Sequence, residues 1–169
     1  MLLERLRNGD STAFASLYER YRERVLHYCI RLVKDTQVAE DIVQNVFIKL
    51  HRERNTIRNG HSLKSWVFAV ARNESYGEIH KKKLESIDDN VVWSGSLPDE
   101  ILQEKERNEI IEYALQQLHV PYREVVLLRE YEQMSYEEIA ATMGTTVSSV
   151  KSRLFKARKA LIEKLNPYL

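Results

Sequence analysis

Residues 135–165 read SYEEIAATMGTTVSSVKSRLFKARKALIEKL, and this stretch decides the fold of the C-terminal part of the chain. Ser135 with Glu138 three residues later makes a capping box: the hydroxyl accepts from a first-turn N–H while the carboxylate reaches back to the cap backbone. The short helix that follows carries Ile139, Ala140 and Met143, and Gly144 stands where a left-handed C-terminal cap is wanted. Thr145 and Thr146 then cap a longer helix with Val150, Leu154, Ala157, Leu161 and Leu165 on one face and Pro167 past its end. A short capped helix, a glycine turn and a longer basic helix define a helix-turn-helix. Ala140 is small enough for the second helix to cross closely, with Ile139, Val150 and Leu154 setting the crossing. The outward face of that helix offers Ser148, Ser149, Lys151, Ser152, Arg153 and Lys156, hydroxyls and cations suited to phosphates and base edges.

Upstream, the pattern stays helical. Pro121 opens a helix that runs through Tyr131 with Val125, Val126 and Leu128 apolar, since a first-turn proline loses no intrahelical hydrogen bond. Pro98, with Asp99 and Glu100 complementing the dipole, starts another that reaches about Leu118. Residues 86–98, SIDDNVVWSGSLP, have no sustained period and read as a linker. Before it, apolar steps of three and four predict a helix from Ala13 through Val33, with Asp10 and Ser11 offering cap oxygens. Thr36 is the expected cap of the next, VAEDIVQNVFIKL, and Ser62, after the Asn59-Gly60 turn, caps a third from about Leu63 to Lys83. The chain is therefore expected to be all-α: two small helical domains, 1–85 and 106–169, joined by a flexible acidic linker over 86–105.

Composition agrees. Gly and Pro together number eight in 169 residues, where average usage would give about twenty, which disfavours turn-rich β folds. The net charge of +1 conceals segregation: residues 1–85 carry +5, residues 86–113 carry −6 and residues 114–169 carry +2. From Val147 to Leu169 six basic residues face one acid, Glu163, a concentration suited to a polyanion. No apolar run is long enough to span a bilayer, and the charged start MLLERLRNGD does not fit a signal peptide, so a cytoplasmic protein is expected. One cysteine, Cys29, and five scattered histidines give no ligand set for a metal, and no Gly-rich phosphate loop or nucleophile motif is present. Neither a cofactor nor an enzymatic activity is expected.

Two stretches taken together carry a resemblance. FASLYERYRERVLHYCIRLVKDTQVAEDIVQNVFIKLHR with SWVFAVARNE, and then LLREYEQMSYEEIAATMGTTVSSVKSRLFKARKAL, are similar to the two domains of the extracytoplasmic-function sigma factors of bacterial RNA polymerase. The resemblance spans nearly the whole chain. It implies promoter-specific transcription initiation by binding core polymerase, opening the −10 element and reading the −35 element. A stand-alone helix-turn-helix regulator with a dimerising or ligand-binding N-terminal domain is the alternative, and AEDIVQNVF with Trp66 to Asn73 argues against it.

By the same resemblance the basic face of the last helix reads the −35 element, and Glu40, Asp41, Gln44, Asn45 and Phe47 dock on the polymerase. Arg72, Asn73, Tyr76, His80, Lys81 and Lys82 handle the −10 element, where single-strand capture needs cations, polar groups and π surfaces. Trp66, Phe68 and Val70 read as core. Asp88, Asp89, Asp99 and Glu100 make the linker either a nucleic-acid mimic or a solubilising spacer. An anti-sigma factor is the further partner the family implies. Two positions depart from the family pattern, with Gly77 for its common Asp and His80 for its common Arg; Gly77, inside a helix, points to a close approach or a bend.

Overall fold

The computed structural model describes residues 1–58, 62–85 and 104–169, with side chains of the last segment from Arg107 onward. The elements are α1 (Leu2–Arg7), α2 (Ser11–Val33), α3 (Thr36–Glu53), α4 (Leu63–Glu85), α5 (Glu104–Gln116), α6 (Val120–Val126), α7 (Tyr136–Met143) and α8 (Val147–Leu165). No strand occurs among the described residues. None of their helices is long and apolar enough to cross a membrane. The acids at 88, 89, 99 and 100, and the expected start of a helix at Pro98, lie outside them.

In the N-terminal domain α2, α3 and α4 pack against one another, with Leu17, Val25, Tyr28, Val46, Leu50, Val67 and Phe68 buried between them. Asp10 caps α2 by accepting from the N–H groups of Thr12 and Ala13. Lys34 ends that helix in the left-handed region at φ 59°. The reversal leaves Asp35 extended, and its carboxylate takes the Val38 N–H at 3.1 Å. The cap of α3 is thus Asp35, not Thr36, which becomes the first helical residue. Ser62 caps α4 as expected, its hydroxyl accepting the Ser65 N–H at 3.1 Å. A short helix the periodicity did not announce, α1, precedes these and buries only Leu6.

In the C-terminal domain Leu115, Val125, Leu128, Met134, Ile139, Val150, Leu154 and Ala157 form the core. Helix α5 ends at Gln116, short of the expected Leu118. The buried Arg123 guanidinium donates to the carbonyls of Leu115 at 3.1 Å and Leu118 at 3.0 Å, satisfying groups a helix end leaves orphaned. The expected Pro121–Tyr131 helix is α6 followed by a wide π turn over Leu127–Tyr131. Both capping-box bonds are formed: Ser135 N–H to Glu138 at 2.8 Å and Glu138 N–H to the Ser135 hydroxyl at 3.1 Å. Gly144 sits at φ 61° as the left-handed cap of α7, and Thr146 caps α8 through the Ser149 N–H.

Candidate nucleic-acid and docking interfaces

The helix-turn-helix builds one groove. Along α8, Ser148, Ser149, Ser152, Arg153 and Lys156 line it from one side, and Thr146, His119, Pro121 and Tyr122 from the other. Apart from the half-buried Ser149 and Arg153, the α8 members are exposed. Cations, hydroxyls and an aromatic ring around one concavity suit a phosphate backbone flanked by base edges. Lys151 stands apart from this set. Its ammonium lies 5.7 Å from the Tyr136 ring centroid, and it borders a second groove with Phe155, Arg158 and Lys159. His119 and Tyr122 escaped sequence reasoning because they belong to the start of α6, more than twenty residues from α8, and no local pattern ties the two together.

Helix α4 separates its candidate residues into two groups. Asn73, His80, Lys81 and Lys82 are exposed, Lys81 bonding Glu78 one turn back at 3.3 Å. Arg72 and Tyr76 instead converge on Glu124 of α6: Arg72 Nε donates to Glu124 Oε1 at 2.5 Å and Tyr76 Oη to Oε2 at 2.6 Å. Tyr28 Oη adds a third donor at 3.2 Å. The Arg72 guanidinium also lies 4.4 Å from the Tyr76 ring centroid, a cation–π pair that holds both side chains in one pose. Glu124 is fully buried, and burial holds its carboxyl above the ordinary range despite the opposing pull of Tyr76, Arg72 and Tyr28. Phe68 is buried core as expected, while Trp66 and Val70 are half-buried against it. Gly77 is exposed, and a Cβ placed there would meet nothing within 4 Å, so the expected close approach does not occur. Helix α4 runs through it without interruption from Leu63 to Glu85.

The third surface is the outer face of α3. Glu40, Asp41, Gln44 and Asn45 are all exposed there. Phe47 is not: at 4% exposure it is the floor of a groove whose walls are Phe14 and Tyr18 of α2 and Gln44, Ile48, His51 and Arg52 of α3. Ile48 is half in water, an apolar side chain with no covering partner among the described residues. Lys49 faces the other way and pairs with Glu74 of α4 at 2.7 Å.

Comparison with known proteins agrees with this geometry. The sigma-70 region 2 family matches residues 17–85, and the sigma-70 region 4 family matches residues 108–161. The RNA polymerase sigma-H factor of Pseudomonas aeruginosa is 30% identical to this chain, covering 99% of it and 94% of the relative. The ECF RNA polymerase sigma-E factor of Escherichia coli K12 is 31% identical, covering 100% of this chain and 95% of the relative. Among solved structures, the sigma factor RpoE of Bartonella quintana, crystallised with the anti-sigma factor NepR, superposes with a TM-score of 0.75 at 28% identity, over 90% of this chain and 96% of that one.

Two helical domains that match sigma-70 regions 2 and 4, the second a helix-turn-helix, define a promoter-recognition factor. The chain belongs to the sigma-70 family, in its extracytoplasmic-function group, and serves RNA polymerase as a sigma factor in transcription initiation. The match of residues 17–85 to region 2 sets aside a stand-alone regulator, whose N-terminal domain would have no use for it.

Proposed function

We propose a division of labour in which each exposed surface takes one ligand. The α8 groove, with Ser148, Ser149, Ser152, Arg153 and Lys156, reads the −35 element, and Lys151 touches the neighbouring phosphates. Glu40, Asp41, Gln44 and Asn45, over the aromatic floor of Phe47, dock on core polymerase. Arg72, Asn73, Tyr76, His80, Lys81 and Lys82 of α4 open and hold the −10 element. The functional domains are 1–85 and 106–169, with the acidic 86–105 between them. The protein acts in the cytoplasm, where the polymerase is, and makes no covalent bond of its own. An anti-sigma factor is its further partner, as NepR is for the Bartonella quintana protein.

The single observation that supports this reading best is the separation of the α3 groove from the α8 groove onto different domains, one lined by aromatic and apolar groups, the other by cations and hydroxyls. A protein surface fits the first and a phosphate backbone the second. In vitro transcription with core polymerase on a library of promoters tests it. Initiation confined to templates sharing two elements is expected; initiation no more selective than that of core enzyme alone would refute it.

A further inference from the structure

The α8 groove has two walls, and only one of them belongs to the reading helix. Opposite the serines, Arg153 and Lys156 of α8 stands the turn into α6, with His119, Pro121 and Tyr122. His119 and Pro121 are exposed, and the half-buried Tyr122 ring meets the imidazole edge-on, with centroids 6.4 Å apart. The backbone that carries them is pinned from both sides. The His119 carbonyl accepts the Tyr122 and Arg123 N–H groups, each at 3.0 Å, while the buried Arg123 guanidinium holds the carbonyls of Leu115 and Leu118 behind it. Helix α6 in turn packs on α8, which fixes this wall relative to the reading residues.

No acid lines this groove among the described residues, so nothing in it repels a phosphate. His119 stands at the N-cap of α6 without a side-chain cap hydrogen bond, which leaves its ring N–H to donate outward. A helix with its side chains is about 10–12 Å across and the DNA major groove is about 12 Å wide, so α8 fills the groove it reads. Side chains that flank α8 in the same concavity therefore meet the sugar-phosphate wall and not the base edges. The order of elements agrees: in a helix-turn-helix the segment ahead of the reading helix crosses the backbone, and α6 stands ahead of both α7 and α8.

We infer that His119, backed by Tyr122, is a phosphate anchor of the −35 site: its imidazole N–H donates to one phosphate of the strand bordering the major groove that α8 enters. This rests on the assignment of the α8 groove to the −35 element and adds to it a contact that carries no base information. The anchor sets the depth and angle at which α8 sits, and Arg153 then meets its base edge from a fixed position. Its loss should weaken binding to every −35 sequence alike, as the loss of a base-reading side chain does not.

The experiment uses the full chain assembled with core polymerase, a promoter duplex with an intact −35 element, and the substitutions H119A, H119Q and H119E. His119 is exposed and its side chain caps nothing, so α6 survives all three, and circular dichroism verifies the helices. H119A should bind the duplex about tenfold more weakly, the order of one hydrogen bond to a charged group, and by the same factor when one −35 base pair is changed. H119Q, which keeps an N–H, should recover most of the loss, and H119E should bind worse than H119A. A single uncharged methylphosphonate is then moved phosphate by phosphate through the −35 element. One position should weaken the wild-type complex and leave the H119A complex indifferent. If the wild-type holoenzyme discriminates −35 base pairs while H119A keeps its affinity, or gives the same methylphosphonate profile, the anchor alone is overturned. If the wild-type holoenzyme discriminates no −35 base pair at all, the reading of the α8 groove falls and the anchor with it.

Discussion

Tyr18 of α2 and Phe47 of α3 meet with ring centroids 4.7 Å apart, and Phe14 closes on Phe47 edge-on at 6.4 Å. The groove proposed to dock core polymerase is therefore a two-helix surface: α2 supplies aromatic walls, while α3 supplies polar groups and the half-exposed Ile48. Apolar anchors that lose water on binding dominate interface energetics, and charges left at a wet rim contribute little. Ile48→Ala and Tyr18→Ala should each weaken core-polymerase binding by about 1–2 kcal/mol, more than Glu40→Ala does. Competition against a second sigma factor for limiting core enzyme measures this; a larger loss from Glu40→Ala than from Ile48→Ala would contradict it.

Arg153 lies half-buried in the α8 groove beside Tyr122, whereas Lys151 leans over Tyr136 on the other side of the helix. Arg153→Ala should lower initiation from promoters with an intact −35 element by about tenfold, the order of one lost side-chain contact to a base. Lys151→Ala should weaken binding more evenly across sequences and flatten its salt dependence. Polymerase association should survive both. Equal effects of the two substitutions on −35 selectivity would put Lys151 in the reading set.

The capping box at Ser135, the left-handed Gly144 and the Asp10 cap were legible in the sequence because each is decided within about four residues. The helix-turn-helix followed from them. Glu124 shows the limit: in PYREVV it reads as an ordinary polar residue of a helix start, and only donors 48, 52 and 96 residues away make it buried. The same distance hid Tyr122 from the α8 groove and split Arg72 and Tyr76 from Asn73 and His80. Helix α1 escaped because it is 6 residues long with no side-chain cap, and the π turn at Leu127–Tyr131 because its residues continue a helical period unbroken.

Gly77 occupies the exposed interior of α4 with open space where a Cβ would go. Glycine loses more backbone freedom in a helix than alanine does, so Gly77→Ala should stabilise the protein by about 1 kcal/mol. Chemical denaturation followed by circular dichroism measures the shift. If the substitution instead lowers stability, α4 must bend or approach a neighbour at Gly77 in a way the structure does not contain.

Cys29 is fully inaccessible in α2, packed in the core with Tyr28 and Leu32, and burial pushes its thiol from an ordinary value of 9.0 up to about 12. The folded chain keeps the proton that the unfolded chain surrenders, so this thiol favours folding fully below pH 9.0 and progressively less as pH rises toward about 12. At pH 8 the native thiol is almost wholly protonated as well as shielded, and the thiolate is the nucleophile. A thiol reagent at that pH should modify Cys29 only as fast as the N-terminal domain opens, with the rate rising steeply in denaturant. Replacing Cys29 by Ala should leave neutral-pH function intact and remove its share of the alkaline loss of stability. Rapid, stoichiometric labelling of the native chain at pH 8 would show that α2 does not bury Cys29 in solution.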